Sequence, residues 1–302
     1  MNFEKTAKSF EKHFAKSCEK ICFAGMPLSI ISSKEISLSA ALSVGGCAAV
    51  ARRGDGRFNA EFDDNVKYIT SNVIDIEYHK KEPMLGFLAR AESLGATLGG
   101  ADIVFEYNTN IYNEYETLLL SCMYLFCNKM PDVKTAKNCL NNPNRDFASI
   151  VGVKDRILMS ANGKYTYIKF SDSAVKIVLC HIRDKNYIKE CNDNAVKTAA
   201  ESLAMGDYLH FGEIITHEHY ENAKAGKASK EAFRLAVKLK DALGCGFLEN
   251  GGIFAIVENA KVNAFVQNMK KEYATYYGAS PDFYITCTEN SGVNKVIDKK
   301  DL

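Results

Sequence analysis

The sequence lacks a surplus of charge of either sign. Its 302 residues contain 38 Lys and Arg against 37 Asp and Glu, which leaves a net charge of +1. Proteins that bind nucleic acids or anionic membrane surfaces depend on clustered positive charge. The balance therefore argues against both kinds of partner. Apolar residues make up 47% of the chain, which also excludes a disordered protein.

The sequence also lacks an apolar run long enough to cross a bilayer. The longest weakly charged stretch, from Ile36 to Ala51, is interrupted by serines and glycines and is shorter than a membrane span. The beginning of the chain carries Glu4, Glu11 and Glu19, and transit peptides avoid acidic residues. We therefore expect no membrane association and a cytoplasmic location.

Cysteine pairs of the Cys-x-x-Cys type are missing. The cysteines are scattered, and several stand among apolar neighbours, as in Val178-Leu179-Cys180. This distribution is typical of reduced thiols in a core, whereas a disulfide framework is the less favoured alternative. The ten cysteines are Cys18, Cys22, Cys47, Cys122, Cys127, Cys139, Cys180, Cys191, Cys245 and Cys287.

Hydrophobic periodicity predicts an α+β protein with a boundary near Asp172. The first part mixes predicted helices with predicted strands, and its last strands form a hairpin that turns at Asn162-Gly163. Its helices are predicted at 1–20, 83–98, 113–130 and 146–151, and its strands at 21–31, 36–50, 57–62, 65–78, 101–107 and 157–169. The second part is predicted to contain strands at 175–182, 253–258 and 283–288 and helices at 187–205, 208–224, 230–243 and 260–277.

Glycine-rich and aromatic segments follow one another near the end of the chain. They are Gly244-Cys245-Gly246, Gly251-Gly252-Ile253-Phe254, Tyr276-Tyr277-Gly278 and Asp282-Phe283-Tyr284. This block resembles the last segment of galactokinases, which belong to the GHMP superfamily of small-molecule kinases. Gly100-Ala101-Asp102-Ile103 and Phe211-Gly212-Glu213 are similar to other family segments in the same order, so the resemblance covers nearly the whole chain.

The resemblance implies a two-domain GHMP-kinase-like fold. An N-terminal mixed α/β domain would span 1–172, and a ferredoxin-like α+β domain would span 173–302. The family uses ATP and Mg²⁺ to phosphorylate a sugar hydroxyl. It holds the ATP phosphates with backbone N–H groups of a glycine-rich loop at a helix N-terminus.

The segment at the position of that phosphate loop contains no glycine. It reads Asn110-Ile111-Tyr112-Asn113-Glu114-Tyr115-Glu116. Asn113, Glu114 and Glu116 are the positional equivalents of the nucleotide-binding residues. Asn113 and Glu116 have the spacing of a capping box, and two carboxylates at a helix N-terminus repel a polyphosphate. The segment therefore favours a self-capped structural helix over a phosphate site.

The proton acceptor of the family also has no clear counterpart. The resemblance places Arg145 at the position of the catalytic Asp, and a guanidinium cannot act as a base at physiological pH. A shift of the alignment by one residue would give that role to Asp146. This second alignment leaves open an active kinase.

The sugar-recognition segment has changed as well. Met26 stands where the family has Arg, and Ser32, Ser33 and Glu35 stand where it has Glu, His and Asp. These three residues are the candidates for holding a small polar ligand. Gly251 and Gly252 remain from a third glycine-rich loop. They favour a turn into the following strand over a nucleotide contact.

Three sites have thus lost the residue types that phosphoryl transfer requires. The first hypothesis is a galactokinase-like protein that no longer transfers phosphate and binds a small ligand, such as a sugar, or a protein partner. The alternative is an active ATP-dependent sugar kinase with Asp146 as the base, which would need ATP and Mg²⁺, whereas the first needs neither. A third hypothesis is a purely structural subunit. His217 and His219 are predicted to be surface or interface residues and a poor metal pair.

Overall fold

The computed structural model describes residues 3–62, 67–73, 75, 83–108, 118–120, 123, 127–129, 132, 135, 137–140, 142–181, 190–224, 230–248, 251–278 and 281–301. The chain divides into two compact units. Unit 1 comprises Met1–Met26, Val44–Gly152 and Asn290–Leu302, and unit 2 comprises Pro27–Ser43 and Val153–Glu289. The units differ from the consecutive domains 1–172 and 173–302, because the first two strands supply residues to both units and the end of the chain joins unit 1.

Unit 1 is built on one mixed sheet. The strand order is β14-β1-β2-β6-β3-β4, and β3 pairs with β6 in parallel. Its elements are α1 (Phe3–Phe14), β1 (Lys20–Ser32), β2 (Ile36–Arg53), β3 (Arg57–Phe62), β4 (Lys67–Asn72), α2 (Pro83–Ser93), β5 (Thr97–Leu98), β6 (Gly100–Tyr107), β7 (Cys127–Lys129), α3 (Pro143–Val151) and β14 (Val296–Asp298). The apolar face of α1 packs Ala7 and Phe10 against Ile21, Ala49 and Val104.

Unit 2 contains a four-stranded antiparallel sheet with the order β11-β12-β10-β13. Its elements are β8 (Arg156–Ala161), β9 (Lys164–Lys169), β10 (Val175–His181), α4 (Asp193–Ala204), α5 (Tyr208–Lys224), α6 (Lys230–Lys238), β11 (Ala242–Phe247), β12 (Ile253–Glu258), α7 (Val262–Tyr277) and β13 (Asp282–Thr286). Counted along the chain, the four strands lie in the order second, third, first, fourth. This is the ferredoxin-like arrangement, so the predicted α+β fold class is confirmed.

The core of unit 2 lies between one face of this sheet and the helices α6 and α7. Val178, Phe247 and Ala255 of the strands pack with Phe233 of α6 and Phe265 of α7. All five side chains are almost completely buried. Burial on this scale is the main stabilising contribution to such a unit.

Several predicted elements end in the wrong place. The helix predicted at 1–20 ends at Phe14, and β1 begins at Lys20. The helix predicted at 230–243 ends at Lys238, and β11 follows it. The helix predicted at 83–98 ends at Ser93, because Gly95 has a positive φ of 103° that a helix does not admit. The helix predicted at 113–130 falls partly outside the described residues, and Cys127–Lys129 is a strand that pairs with β5.

The prediction of reduced core cysteines is confirmed for six of the described cysteines, whereas Cys127, Cys191 and Cys287 are only half-buried. Nine of the ten cysteines are described, and all nine are free thiols. Burial raises the pKa of the Cys180 and Cys245 thiols to about 12, so neither is a thiolate at neutral pH. These cysteines are apolar core residues rather than nucleophiles.

Asp102 is a completely buried carboxylate at the centre of a polar cluster in unit 1. Nη1 of Arg53 donates to both of its oxygens at 3.1 and 3.0 Å, Nδ2 of Asn59 donates at 2.6 Å, and Nζ of Lys16 lies 2.8 Å away. The carboxylate is therefore paired with two cations, and its hydrogen bonds connect β2, β3 and β6.

We expect Asp102→Ala to lower the free energy of unfolding by about 2 to 3 kcal/mol, because it leaves this cluster without its acceptor. This loss of unfolding free energy is smaller than is usual for breaking a buried ion pair, since Arg53 and Lys16 can turn toward water. Urea unfolding measures it. Asp55→Ala is the matched control, because Asp55 binds the same Arg53 from an exposed position. A loss no larger than that of the control would contradict the prediction.

No helix in the part of the chain that the structure describes combines the length and the apolar character needed to span a membrane.

Candidate functional site

Arg145 and Asp146, the two residues that the sequence resemblance offers as the proton acceptor, lie in the first turn and a half of α3. Asn142 caps this helix, since its side-chain oxygen accepts from the backbone N–H of Arg145 at 3.4 Å. Pro143 occupies the first helical position, where its missing N–H costs nothing. This local chemistry fixes the backbone of Arg145 and Asp146.

The carboxylate of Asp146 is engaged on both oxygens. Nε of Arg145 donates to Oδ1 at 2.5 Å, and the backbone N–H of Asn142 donates to Oδ2 at 3.3 Å. The side chain of Asp146 is only 1% exposed, and that of Arg145 is 12% exposed. Asp146 thus accepts a hydrogen bond at the N-terminus of α3, and the guanidinium of Arg145 neutralises its charge.

The structure places Ser33 and Glu35 in the tight turn between β1 and β2, and Ser32 at the end of β1. The hydroxyl of Ser33 donates to the carbonyl oxygen of Ile36 at 3.1 Å and accepts from the Ile36 N–H at 3.0 Å. Ser33 is buried, whereas Glu35 is exposed at the tip of the turn. The carbonyl oxygen of Ser32 accepts from the Cys191 N–H at 2.7 Å. These three residues do not form one binding site. The hydroxyl of Ser33 already donates its hydrogen bond to the Ile36 carbonyl within the turn.

Gly251 and Gly252 lie in the loop between β11 and β12. Their φ angles of 100° and 98° are values that residues with a side chain rarely adopt. The Gly251 N–H donates to the Leu248 carbonyl at 3.1 Å, and the Leu248 N–H donates to the Gly252 carbonyl at 3.0 Å. The two glycines therefore have a turn-forming role in unit 2. Asn113, Glu114 and Glu116 lie outside the described residues.

The structure reveals hydrogen bonds between α5 and the edge strand β11 that the sequence did not predict. Among the residues that the structure describes, no strand pairs with the outer edge of β11, and α5 lies along this edge. Oγ1 of Thr216 accepts from the Cys245 N–H at 2.9 Å, and Nδ1 of His219 accepts from the Phe247 N–H at 3.1 Å. Two side chains one turn apart on α5 thus cover the sheet edge as a paired strand would.

His219 is completely enclosed, so its predicted surface location is wrong. Nδ1 accepts from Phe247, so the proton resides on Nε2, which donates to the Ile30 carbonyl at 2.8 Å. Burial lowers the pKa of His219 from 6.5 to about 4, which keeps the ring neutral. The prediction of a surface residue is correct for His217, which is exposed. A helical pattern could not separate the two, because burial of His219 depends on the distant Ile30.

A third buried carboxylate, Asp172, lies in unit 2. The Thr288 hydroxyl and N–H donate to its two oxygens at 2.7 and 3.1 Å. Burial and the nearby Asp155 raise the pKa of Asp172. The Asp155 N–H donates to the Thr288 hydroxyl at 2.7 Å, so the three residues form a closed network that joins two loops. Within the described ranges, no group of three or more His, Cys, Asp or Glu side chains is arranged to hold a metal ion.

Comparison with known proteins gives matches at the level of structure alone. No family model and no curated protein matches the sequence. Galactokinase from Lactococcus lactis, crystallised with galactose, superposes with a TM-score of 0.79 at 13% identity, over 97% of this chain and 100% of that one. Mevalonate kinase from Methanococcus jannaschii gives a TM-score of 0.58 at 12% identity, over 90% of this chain and 99% of that one.

A D-glycero-D-manno-heptose 1-phosphate kinase from Bacteroides thetaiotaomicron gives a TM-score of 0.57 at 13% identity, over 90% of this chain and 97% of that one. Identities this low establish the fold and leave the chemistry open. The resemblance found in the sequence is therefore confirmed as a resemblance of fold: this chain has the two-domain GHMP-kinase fold of these structures over 90 to 97% of its length.

Proposed function

We propose that this protein keeps the GHMP kinase scaffold, has lost phosphoryl transfer, and serves as a small-ligand-binding or interaction module. The observation that carries the proposal is the environment of the Asp146 carboxylate. Its carboxylate is buried, paired with Arg145 and bound to the cap of α3.

A general base must reach a substrate hydroxyl with an oxygen that is free to take its proton. In Asp146 both oxygens accept hydrogen bonds from the protein itself, and one donor is a guanidinium. Using Asp146 as the base would require breaking the ion pair and uncapping the helix. Arg145 offers no substitute, because it stays protonated.

The residues present do not fit ATP and Mg²⁺. At the phosphate position the sequence offers Glu114 and Glu116 in place of glycines, and their charge opposes a triphosphate. Mg²⁺ needs carboxylates held toward the phosphates, and Asp146 turns instead to Arg145.

Sugars are the first ligands to test. Galactokinase from Lactococcus lactis has been crystallised with galactose, and this chain shares its architecture along the whole length. The changes at Ser32, Ser33 and Glu35 remove the family's hydrogen-bonding pattern, so we expect a ligand other than galactose to bind best.

Calorimetry with galactose and a panel of hexoses, pentoses and sugar phosphates tests the binding role. Each ligand is titrated into the full chain with and without ATP·Mg²⁺. The proposal expects saturable binding of a panel member, with an affinity that ATP·Mg²⁺ changes by less than about twofold. Strong mutual enhancement between sugar and ATP·Mg²⁺ would instead indicate a working kinase site and contradict the proposal. Absence of any heat, together with a stable oligomer, would favour the structural subunit.

A further inference from the structure

Unit 2 contains a groove that lies apart from Asp146 and from the turn at Ser33. It lies between α5 and α6, and β11 forms its floor. Its volume is about 530 Å³. Sites for small ligands typically measure about 300 to 1,000 Å³, so the groove is large enough for one.

Close packing of α5 against β11 forms the floor of the groove without a bound ligand. Gly212 of α5 and Gly244 of β11 lie so close that no side chain fits between them. Thr216 holds the Cys245 N–H at 2.9 Å one turn further along α5. The groove is therefore a permanent feature of packed elements, which reduces the free energy that ordering costs on binding.

The walls are apolar and leave hydrophobic surface in contact with water. Val237 is 46% exposed and Tyr220 is 38% exposed, whereas Phe233 behind them is completely buried. The rings of Tyr220 and Phe233 stack at 6.1 Å with an angle of 25°, and Nζ of Lys224 lies 4.8 Å from the Tyr220 ring. Phe233 and Lys224 thus both contact Tyr220, whose side chain contributes to the wall.

One rim of the groove is positively charged. Arg234 and Lys238 lie one turn apart on α6, and both are exposed. Neither forms an ion pair with any residue that the structure describes. Glu213 and His217 line the opposite rim, on α5. An anionic group would therefore be favoured at the α6 rim and disfavoured near Glu213.

We propose that this groove binds an amphipathic organic anion, namely an aliphatic carboxylate. The chain of the ligand lies along Val237 and the edge of Tyr220, which removes the exposed apolar surface of these two side chains from water. The carboxylate contacts Arg234 and Lys238. This site includes neither Asp146 nor the turn at Ser33. The test of this site is therefore independent of the test of the proposed function.

Calorimetry on the full chain tests the proposal, with octanoate as the anionic probe and 1-octanol as its neutral counterpart. We expect octanoate to bind at one site per chain and more tightly than octanol. The double substitution Arg234→Glu with Lys238→Glu should weaken octanoate at least about tenfold and change octanol less than about twofold. Val237→Trp fills the groove and should weaken both ligands at least about tenfold.

Two exposed positions outside the groove provide matched controls. Ile285→Trp adds the same side chain on β13, and Lys240→Glu reverses a charge beyond the end of α6, so both should bind octanoate as the wild type does. Thermal melting verifies that each variant is folded. If Val237→Trp fails to fold, the charge-reversal pair decides, because both its residues are exposed. Lack of saturation up to about 10 mM octanoate, or equal binding by the groove variants and the controls, overturns the proposal.

Discussion

Replacing Gly212 or Gly244 with alanine is expected to cost about 4 kcal/mol of unfolding free energy or to prevent folding altogether. A Cβ on Gly212 would overlap the carbonyl group of Leu243 and lie 2.8 Å from the Gly244 nitrogen. A Cβ on Gly244 would overlap the backbone of Gly212 and lie 2.7 Å from its carbonyl carbon. Both clashes are with backbone, which cannot move aside as a flexible side chain can.

Gly54→Ala is the matched control for these two substitutions. A Cβ at Gly54 would meet no atom within 4 Å, and this glycine is exposed at a turn. Urea unfolding of the three variants should therefore leave Gly54→Ala close to the wild type. A Gly212→Ala protein with wild-type stability would mean that α5 does not lie against β11 as described.

The second large effect is a loss of stability in acid through His219. Its pKa is about 4 in the folded chain and 6.5 as an ordinary histidine, so the unfolded chain takes up a proton first as the pH falls. Stability from this residue is complete above pH 6.5 and is lost progressively toward pH 4. The full loss corresponds to about 3 kcal/mol. Protonation of Nδ1 also removes the acceptor of the Phe247 N–H.

Urea unfolding at a series of pH values measures this dependence. In His219→Gln the part of the acid loss between pH 6.5 and pH 4 that belongs to His219 should disappear. His210→Gln is the control, because His210 lies on the same helix with a side chain that is 51% exposed. Equal pH dependence in the wild type and in His219→Gln would show that this ring is not buried in the neutral form.

Local chemistry made several elements predictable from the sequence. The hairpin of β8 and β9 turns at Asn162 and Gly163, whose φ angles of 50° and 72° are those that an Asn-Gly turn adopts. The long strands β1 and β2 follow from runs of apolar and β-branched residues. Such signals depend only on residues that are adjacent in the chain, so they can be read without the structure.

The strand β11 was missed because its cause is tertiary. Gly244 and Gly246 weaken strand propensity, and the preceding apolar residues continue the helical pattern of α6. The glycines are required because α5 approaches β11 closely, which no local pattern shows. The same holds for His219, whose partner Ile30 lies 189 positions away in the sequence.

The role of the candidate site residues could not be predicted from the sequence. The resemblance pointed to Arg145 and Asp146, and the sequence alone could not distinguish a free carboxylate from one that is bound at the N-terminus of a helix. The hydrogen bonds from Arg145 and Asn142 provide that distinction. Ser33 was likewise a ligand candidate from its residue type, whereas its hydroxyl holds the turn to Ile36.

Sugar-dependent release of ADP by the full chain tests most directly whether phosphoryl transfer has been lost. The wild type and Asp146→Asn are assayed side by side with ATP, Mg²⁺ and the sugar panel, and a galactokinase serves as the positive control. We predict that ADP release stays at background in both proteins with every sugar. Release above background in the wild type that Asp146→Asn abolishes would contradict the account, because Asp146 would then be acting as the base.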